Sequence, residues 1–482
     1  MTPMFSNLLR RTAFPSIADC DREAQKLAVL RIALGLIITW RCAFIARDSY
    51  YFFDPVTIAG LSVPIPFLET CVQLLLALGL TLGIAPAACA LILAGTHMSY
   101  SLTTATYHLG PLMMVPLLAG MAVLDSGRLC LLAKPSPAPA EGQFQAFYLI
   151  LFTCYAALSF QAVFYHLHDT YWFEGRTSAV LFVSSYLSSL YTLFRWLEAW
   201  SPDAFWYGSM VVTFFQTVFQ LAMLPLVFTR IGKIFVIAWG GIFIVGSIVA
   251  LQLSILPFIE VIYWVAIFAP AAWFSFAGAP QTAAPTQPIL ALARIRHILF
   301  PAYVGVYALV LPVFFANCIV GELTGKRLPP HIEGYWLLYV GIVAPNVFNK
   351  DDLSMGDRWP VIEWKEGAIT EQIPFNGHEG ERLPYHRSDL LYYGNSLHWR
   401  RGMVGVEDLH TYHQPGGPGY NLALQIATYD FRRNKRSPNG YYQITLYRNK
   451  ASNHELRHDE KRYTPEKVLT FNIEGKTLTK AP

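Results

Sequence analysis

The sequence predicts an all-α, polytopic transmembrane helical bundle followed by a soluble C-terminal domain that is β-rich or mixed. Two observations carry this expectation. Hydrophobic residues make up 54% of the 482 positions and charged residues only 14%, against roughly 25% charged in ordinary soluble domains. The charge is also unevenly placed. Between Leu27 and Asn349 long apolar runs hold few Lys or Arg, whereas from Lys350 onward the chain is polar and basic. The net charge of +4 therefore averages two chemically different parts and points to no nucleic-acid partner. The expected division is a polar leader at 1–26, a main membrane domain at 27–276, a linker at 277–298, further spans at 299–349 and a soluble domain at 350–482.

Each span is read from its apolar run. The first covers Leu27 to Ala46, interrupted by Arg31 and Arg41, which need partners or an interfacial position. Phe67 to Gly83, a run closing near His97, and a run from Pro111 to Leu124 follow. Further runs lie at Phe147–Val163, Ala179–Leu197, Tyr207–Phe228, Ile234–Leu253, Leu256–Phe276, Leu299–Val320 and Gly334–Val347. A span needs about 20 largely apolar residues, and nine to eleven helices are expected. Within Ile234–Leu253 no polar face recurs every three or four residues, as a soluble buried helix would require.

The leader has no apolar core, so the first span reads as an uncleaved anchor. Arg10, Arg11, Arg22 and Lys26 before it favour a cytoplasmic N-terminus in a multi-pass protein of a bacterial inner membrane. The seven cysteines form no C-x-x-C pair and read as small buried hydrophobes. Lys134–Gly142 and Ala277–Pro288, rich in Pro and Ala, read as connections.

In the tail, Ala423–Phe431 reads as apolar and aromatic without a helical stripe. The Pro438-Asn439-Gly440 turn reads as a hairpin cue ahead of the alternating strand YYQITLYRN, and VLTFNIEG adds another strand. Trp359, Trp364, Tyr392, Tyr393 and Trp399 serve either as the core of this domain or as bilayer anchors. His410 and His413 are too few to hold a metal, and no phosphate loop, nucleotide fingerprint or catalytic serine motif occurs.

Chemistry concentrates in FQAVFYHLHDTYWFEGRTS, which places His166, His168, Asp169, Glu174 and Arg176 where a helix leaves the hydrocarbon. Ionisable groups at such depth are expensive and are commonly functional. His97 closes one apolar run and His108 opens the next. Counting crossings puts all four histidines at the non-cytoplasmic mouth, where they could move protons or ligate metal or haem. Interfacial hydrogen bonding is the plainer explanation for any one of them.

Arg31 and Gly35 in LRIALG, Tyr107-His108-Leu109, and Trp172 through Gly175 in HLHDTYWFEGRTS together resemble the horizontally transferred transmembrane (HTTM) domain, related to the vitamin K-dependent gamma-glutamyl carboxylases. The span FFQTVFQLAMLPLVF resembles a further helix of that family, and the resemblance covers about Leu27 to Phe276. It implies a reduced quinone such as vitamin K as cofactor. In the carboxylases this is deprotonated and reacts with oxygen, and the strong base so formed removes a glutamate proton before carbon dioxide adds. The family's lysine base stands before a Leu-x-x-x-Trp segment. Here His166, beside Leu167, takes its place, and the loop is one residue longer. Histidine, with an ordinary pKa near 6.5, is the weaker base. The expected catalytic set is His166, His168, His108, Asp169 and Glu174, with His97, Trp172 and Arg176 toward the cofactor. Membrane lipids are expected partners, with a peptide, protein or lipid-like molecule as substrate. A histidine-based metal site and a noncatalytic scaffold working through its tail are the other two readings.

Overall fold

The computed structural model describes residues 17, 19–58, 61–104, 109–124, 127–131, 137–274, 290–329, 332, 340–342, 358–384, 418–449, 463–474 and 477–480. Helix α1 spans Cys20–Phe52 and opens on an Asp19 cap whose side chain accepts from the Asp21 and Arg22 amides. It begins seven residues before the expected span, so the leader is not wholly polar surface. A short hairpin of β1 (Val56–Ile58) and β2 (Leu61–Val63) follows. Helices α2 (Ile65–Leu82), α3 (Pro86–Thr104), α4 (Leu109–Leu124) and α5 (Glu141–His166) come next. The short helices α6 (Thr170–Phe173), α7 (Thr177–Val183) and α8 (Tyr191–Trp200) lead to α9 (Pro202–Leu226), α10 (Arg230–Ala250) and α11 (Leu256–Phe268). Helix α12 runs over Leu290–Thr324.

Among the described residues six helices are long and apolar enough to cross a membrane: α1, α2, α5, α9, α10 and the Ile298–Thr324 part of α12. Pro86–His97, Leu109–Leu124 and Leu256–Phe268 are shorter apolar helices. The run at Ala179–Leu197 is not one helix. It breaks after Val183, and the intervening turn pairs with the α10–α11 connection through a Ser188–Leu251 bridge. Ser184, Ser185, Ser188 and Ser189 cluster there, and serine hydroxyls compete with helical backbone bonding. Positions 290–298 are helical rather than linker, because the hydrophobic period resumes at Leu290. Residues 277–289 and most of Gly334–Val347 lie outside the described residues.

The LRIALG segment has a physical reason. Arg31 donates to the carbonyls of Arg128 and Leu129 at 3.2 and 2.9 Å, pinning the turn after α4. A Cβ on Gly35 would stand 2.3 Å from the Thr81 hydroxyl, so glycine there lets α1 and α2 pack closely. All seven cysteines are free thiols.

The C-terminal part is mixed. Five antiparallel strands stand in the order β4-β3-β5-β6-β7, from β3 (Arg358–Glu366), β4 (Ile369–Gln372), β5 (Tyr441–Asn449), β6 (Tyr463–Glu474) and β7 (Thr477–Lys480). Tyr442, Ile444 and Leu446 alternate into its core beside Trp359 and Trp364, which are therefore core residues. Tyr392, Tyr393, Trp399, His410 and His413 lie outside the described residues. Ala423–Phe431 is helical, within α13 (Pro418–Asn434). Its buried positions Ile426, Ala427, Tyr429 and Asp430 follow helical rather than alternate spacing. The Pro-Asn-Gly turn thus joins a helix to β5 and is no hairpin.

Asp430, fully buried, accepts from Tyr442 at 2.8 Å, Arg436 at 2.8 Å and Asn434 at 2.6 Å. Burial, with the Asp430 carboxylate beside it, holds the Tyr442 hydroxyl well above the ordinary tyrosine range. Tyr442→Phe removes one bond to a buried charge and is expected to cost about 1.5–3 kcal/mol. Faster proteolysis of the C-terminal domain, with the helical part intact, is the measurement.

Among the described residues the two parts meet in two places. Tyr429 donates to Asp48 at 2.7 Å near the end of α1, and Arg432 pairs with Asp54 at 2.6 Å. Arg382 donates to the Gln252 carbonyl at 2.7 Å with its guanidinium 4.2 Å over the Tyr186 ring.

Candidate functional site

His166 is the last residue of α5 and is 3% exposed. Its ring stacks on Trp172 with centroids 3.7 Å apart and planes at 11°. Trp172 is held there by α6, whose N-cap is Asp169. That carboxylate accepts from the Tyr171 and Trp172 amides at 2.9 and 3.2 Å. Asp169 therefore acts on the site by fixing the backbone of Trp172. Gly175 ends the turn at φ +71°, and a Cβ there would strike Met210 of α9. Its carbonyl accepts from Ser209 at 2.7 Å. The W-x-x-G spacing is thus a stacking platform followed by an obligatory left-handed corner.

The Nδ1 of His166 lies 3.3 Å from Oε1 of Gln220. An amide oxygen only accepts, so this contact suits the tautomer that carries its proton on Nδ1. Sequence reasoning did not single out Gln220. The available signal was Gln216 and Gln220, four residues apart in the apolar run FFQTVFQLAMLPLVF.

The other expected residues separate. His168 points outward with its side chain 72% exposed and meets Glu322 of α12 at 2.8 Å, so it does not converge with His166. A two-residue step turns the chain to another face, and the helix end does not reverse it. Glu174 pairs with Arg176 at 2.8 Å, both about half exposed, so that carboxylate is compensated within its own turn. His97 is not at a mouth. Helix α3 continues seven residues beyond it, and the ring is 2% exposed with neither nitrogen hydrogen-bonded. The reason lies in MSYSLTT, which extends the helix despite its hydroxyls. His108 lies outside the described residues.

Two polar groups inside the helical part were missed. Lys26 is 1% exposed, 2.8 Å from Glu23, and donates to the carbonyls of Ala266 and Ala269 at 3.0 and 3.2 Å. Tyr148 donates to the same Glu23 at 2.6 Å. Seven residues along α5, Tyr155 donates to Glu260 at 3.1 Å. Lys26 thus fastens α1 to the C-terminal end of α11, where helix carbonyls favour a cation.

A groove of about 340 Å³ opens between α7, α8 and α9. Trp172 does not line it, but Ser209, which holds the Gly175 carbonyl, does. Among the described residues no group of three or more His, Cys, Asp or Glu side chains could hold a metal ion. Comparison with models of known families, with curated proteins and with solved structures finds no match.

Proposed function

We propose that the chain is a multi-pass membrane enzyme, carboxylase-like or quinol-coupled, in which His166 takes a proton from a lipid-soluble substrate. The carrying observation is the His166 ring, enclosed at the end of α5, stacked on Trp172 and oriented by Gln220. An imidazole held by a ring stack on one side and a side-chain contact on the other meets the positional requirement for general base catalysis. A reduced quinone would supply an acidic hydroxyl to the imidazole, and the indole of Trp172 would border its apolar ring. Glu174 and Arg176 pair with each other in the turn that follows Trp172.

The C-terminal domain packs at the same end, opposite the start of α1. This follows from its contacts to the end of α1 while Cys20 begins the other end. The test is mass spectrometry of the lipids and peptides retained by protein purified in mild detergent. A neutral quinol-like or comparable amphiphile, held in proportion to protein, is the expected result. Retention of bulk lipid alone, in wild type and in Trp172→Ala alike, would overturn the reading and favour a noncatalytic scaffold.

A further inference from the structure

We propose that the groove between α7, α8 and α9 holds one hydrocarbon chain of an uncharged, hydroxyl-headed membrane lipid. The inference rests on the membrane reading above but is independent of the role of His166. At about 340 Å³ the groove falls at the small end of ligand sites, which run about 300–1,000 Å³. One wall is a face of α9, where Ala204, Phe205, Gly208 and Val212 recur at three and four residues. Phe182 and Phe194 face it from α7 and α8, their rings stacked at 4.5 Å.

The medium outside the groove follows from α8, which is inverted relative to a helix in water. Glu198 is fully buried and Arg195 donates inward to the Val183 carbonyl at 3.1 Å. Leu193, Trp196 and Trp200 face outward at 47, 59 and 74% exposure. A helix at an aqueous surface hides its apolar stripe, so the outward medium here is hydrocarbon. Trp196 and Trp200 lie nearly parallel with centroids 6.1 Å apart, and tryptophan concentrates at the headgroup level of a bilayer. The groove is therefore reached from the lipid, just below the headgroups.

Charge then selects the headgroup. Among the described residues, two cations of the elements around the groove are paired, Arg195 with Glu379 at 3.3 Å and Arg176 with Glu174 at 2.8 Å. Asp203 occupies the first turn of α9, where a phosphate would otherwise be favoured. Of the lining hydroxyls, Ser178 bonds Thr213 at 3.0 Å and Ser209 bonds the Gly175 carbonyl. Ser201, at the corner where α8 meets α9, makes no side-chain capping hydrogen bond among the described residues and is the hydroxyl offered to a neutral head.

The experiment uses the full chain in lipid nanodiscs carrying trace diazirine-chain diacylglycerol, phosphatidylcholine or phosphatidylglycerol. Photolabelled peptides are mapped by mass spectrometry. The diacylglycerol probe is expected to label 191–212 well above both phospholipids. Gly208→Trp should abolish that labelling, because a Cβ there meets nothing within 4 Å and the indole enters the groove. Its melting temperature should be unchanged, and Val212→Trp replaces it if the first variant does not fold. His166→Ala should label like wild type, which separates this proposal from the catalytic one. Equal labelling by all three probes, preference for either phospholipid, or labelling that survives a filled groove overturns the proposal.

Discussion

Replacing His166 with alanine is expected to lower turnover about 10²- to 10⁴-fold, the usual contribution of a positioned general acid or base. The ring also packs against Trp172, so the alanine variant loses stacking as well as basicity. His166→Gln keeps much of the volume and a hydrogen-bonding end but cannot take a proton at neutral pH. It should be as slow as alanine while melting closer to wild type. His166→Lys places a stronger base at the same position and should retain more activity than either, with its pH profile shifted upward. His168→Ala should cost less than tenfold, because that ring faces outward to Glu322. Full turnover in His166→Ala, measured on whatever amphiphile co-purifies, would sink the assignment.

The largest stability loss is expected at Lys26. Breaking a buried ion pair by removing one partner costs about 3–5 kcal/mol, because the remaining charge is left in a dry site. Lys26→Ala strands Glu23, whose only described compensation is then the Tyr148 hydroxyl, and it also releases two carbonyls at the end of α11. The variant should melt far below wild type in detergent. Glu23→Leu with Lys26→Met, which removes both charges, should recover part of the loss. If the double variant melts lower still, the pair contributes through more than its charges.

The sequence made the helical part legible because its apolar runs are long and nearly uninterrupted. It misled where polar residues are satisfied by distant neighbours. Lys26 read as a flanking cation because its partners, the carbonyls of Ala266 and Ala269, lie some 240 positions away. The 179–197 run read as a span because composition cannot register the bridge between Ser188 and Leu251, closed by the Ser189 and Gln252 amides. In the tail, a short segment mixing Ile, Ala, Thr and Tyr carries both strand and helix propensity. Burial of Ile426, Ala427, Tyr429 and Asp430 against the sheet and α1 decides for helix. At the site, His166 and Trp172 stood out from their neighbours in one short stretch. Gln220 did not, since its contact with His166 bridges 54 positions that no local pattern links.

The broken segment between α7 and α8 bears on how the protein is made. Backbone groups at bilayer depth need internal partners, and an unpaired turn cannot rest in hydrocarbon. The Ser189 amide finds its partner at Ala250, and the Gln252 amide finds its own at Leu187. At about 5–20 residues per second the ribosome needs several seconds to travel from one to the other. Through that interval the Ser189 amide and the Leu187 carbonyl lack the partners they have in the folded chain. The Gln252 carbonyl then waits a further 130 positions for Arg382, and Asp48 waits for Tyr429. This end of the protein is therefore the last to be completed, and a ribosome stalled before the tail would leave a nascent chain whose crossing helices are in place but whose far end is still open to water.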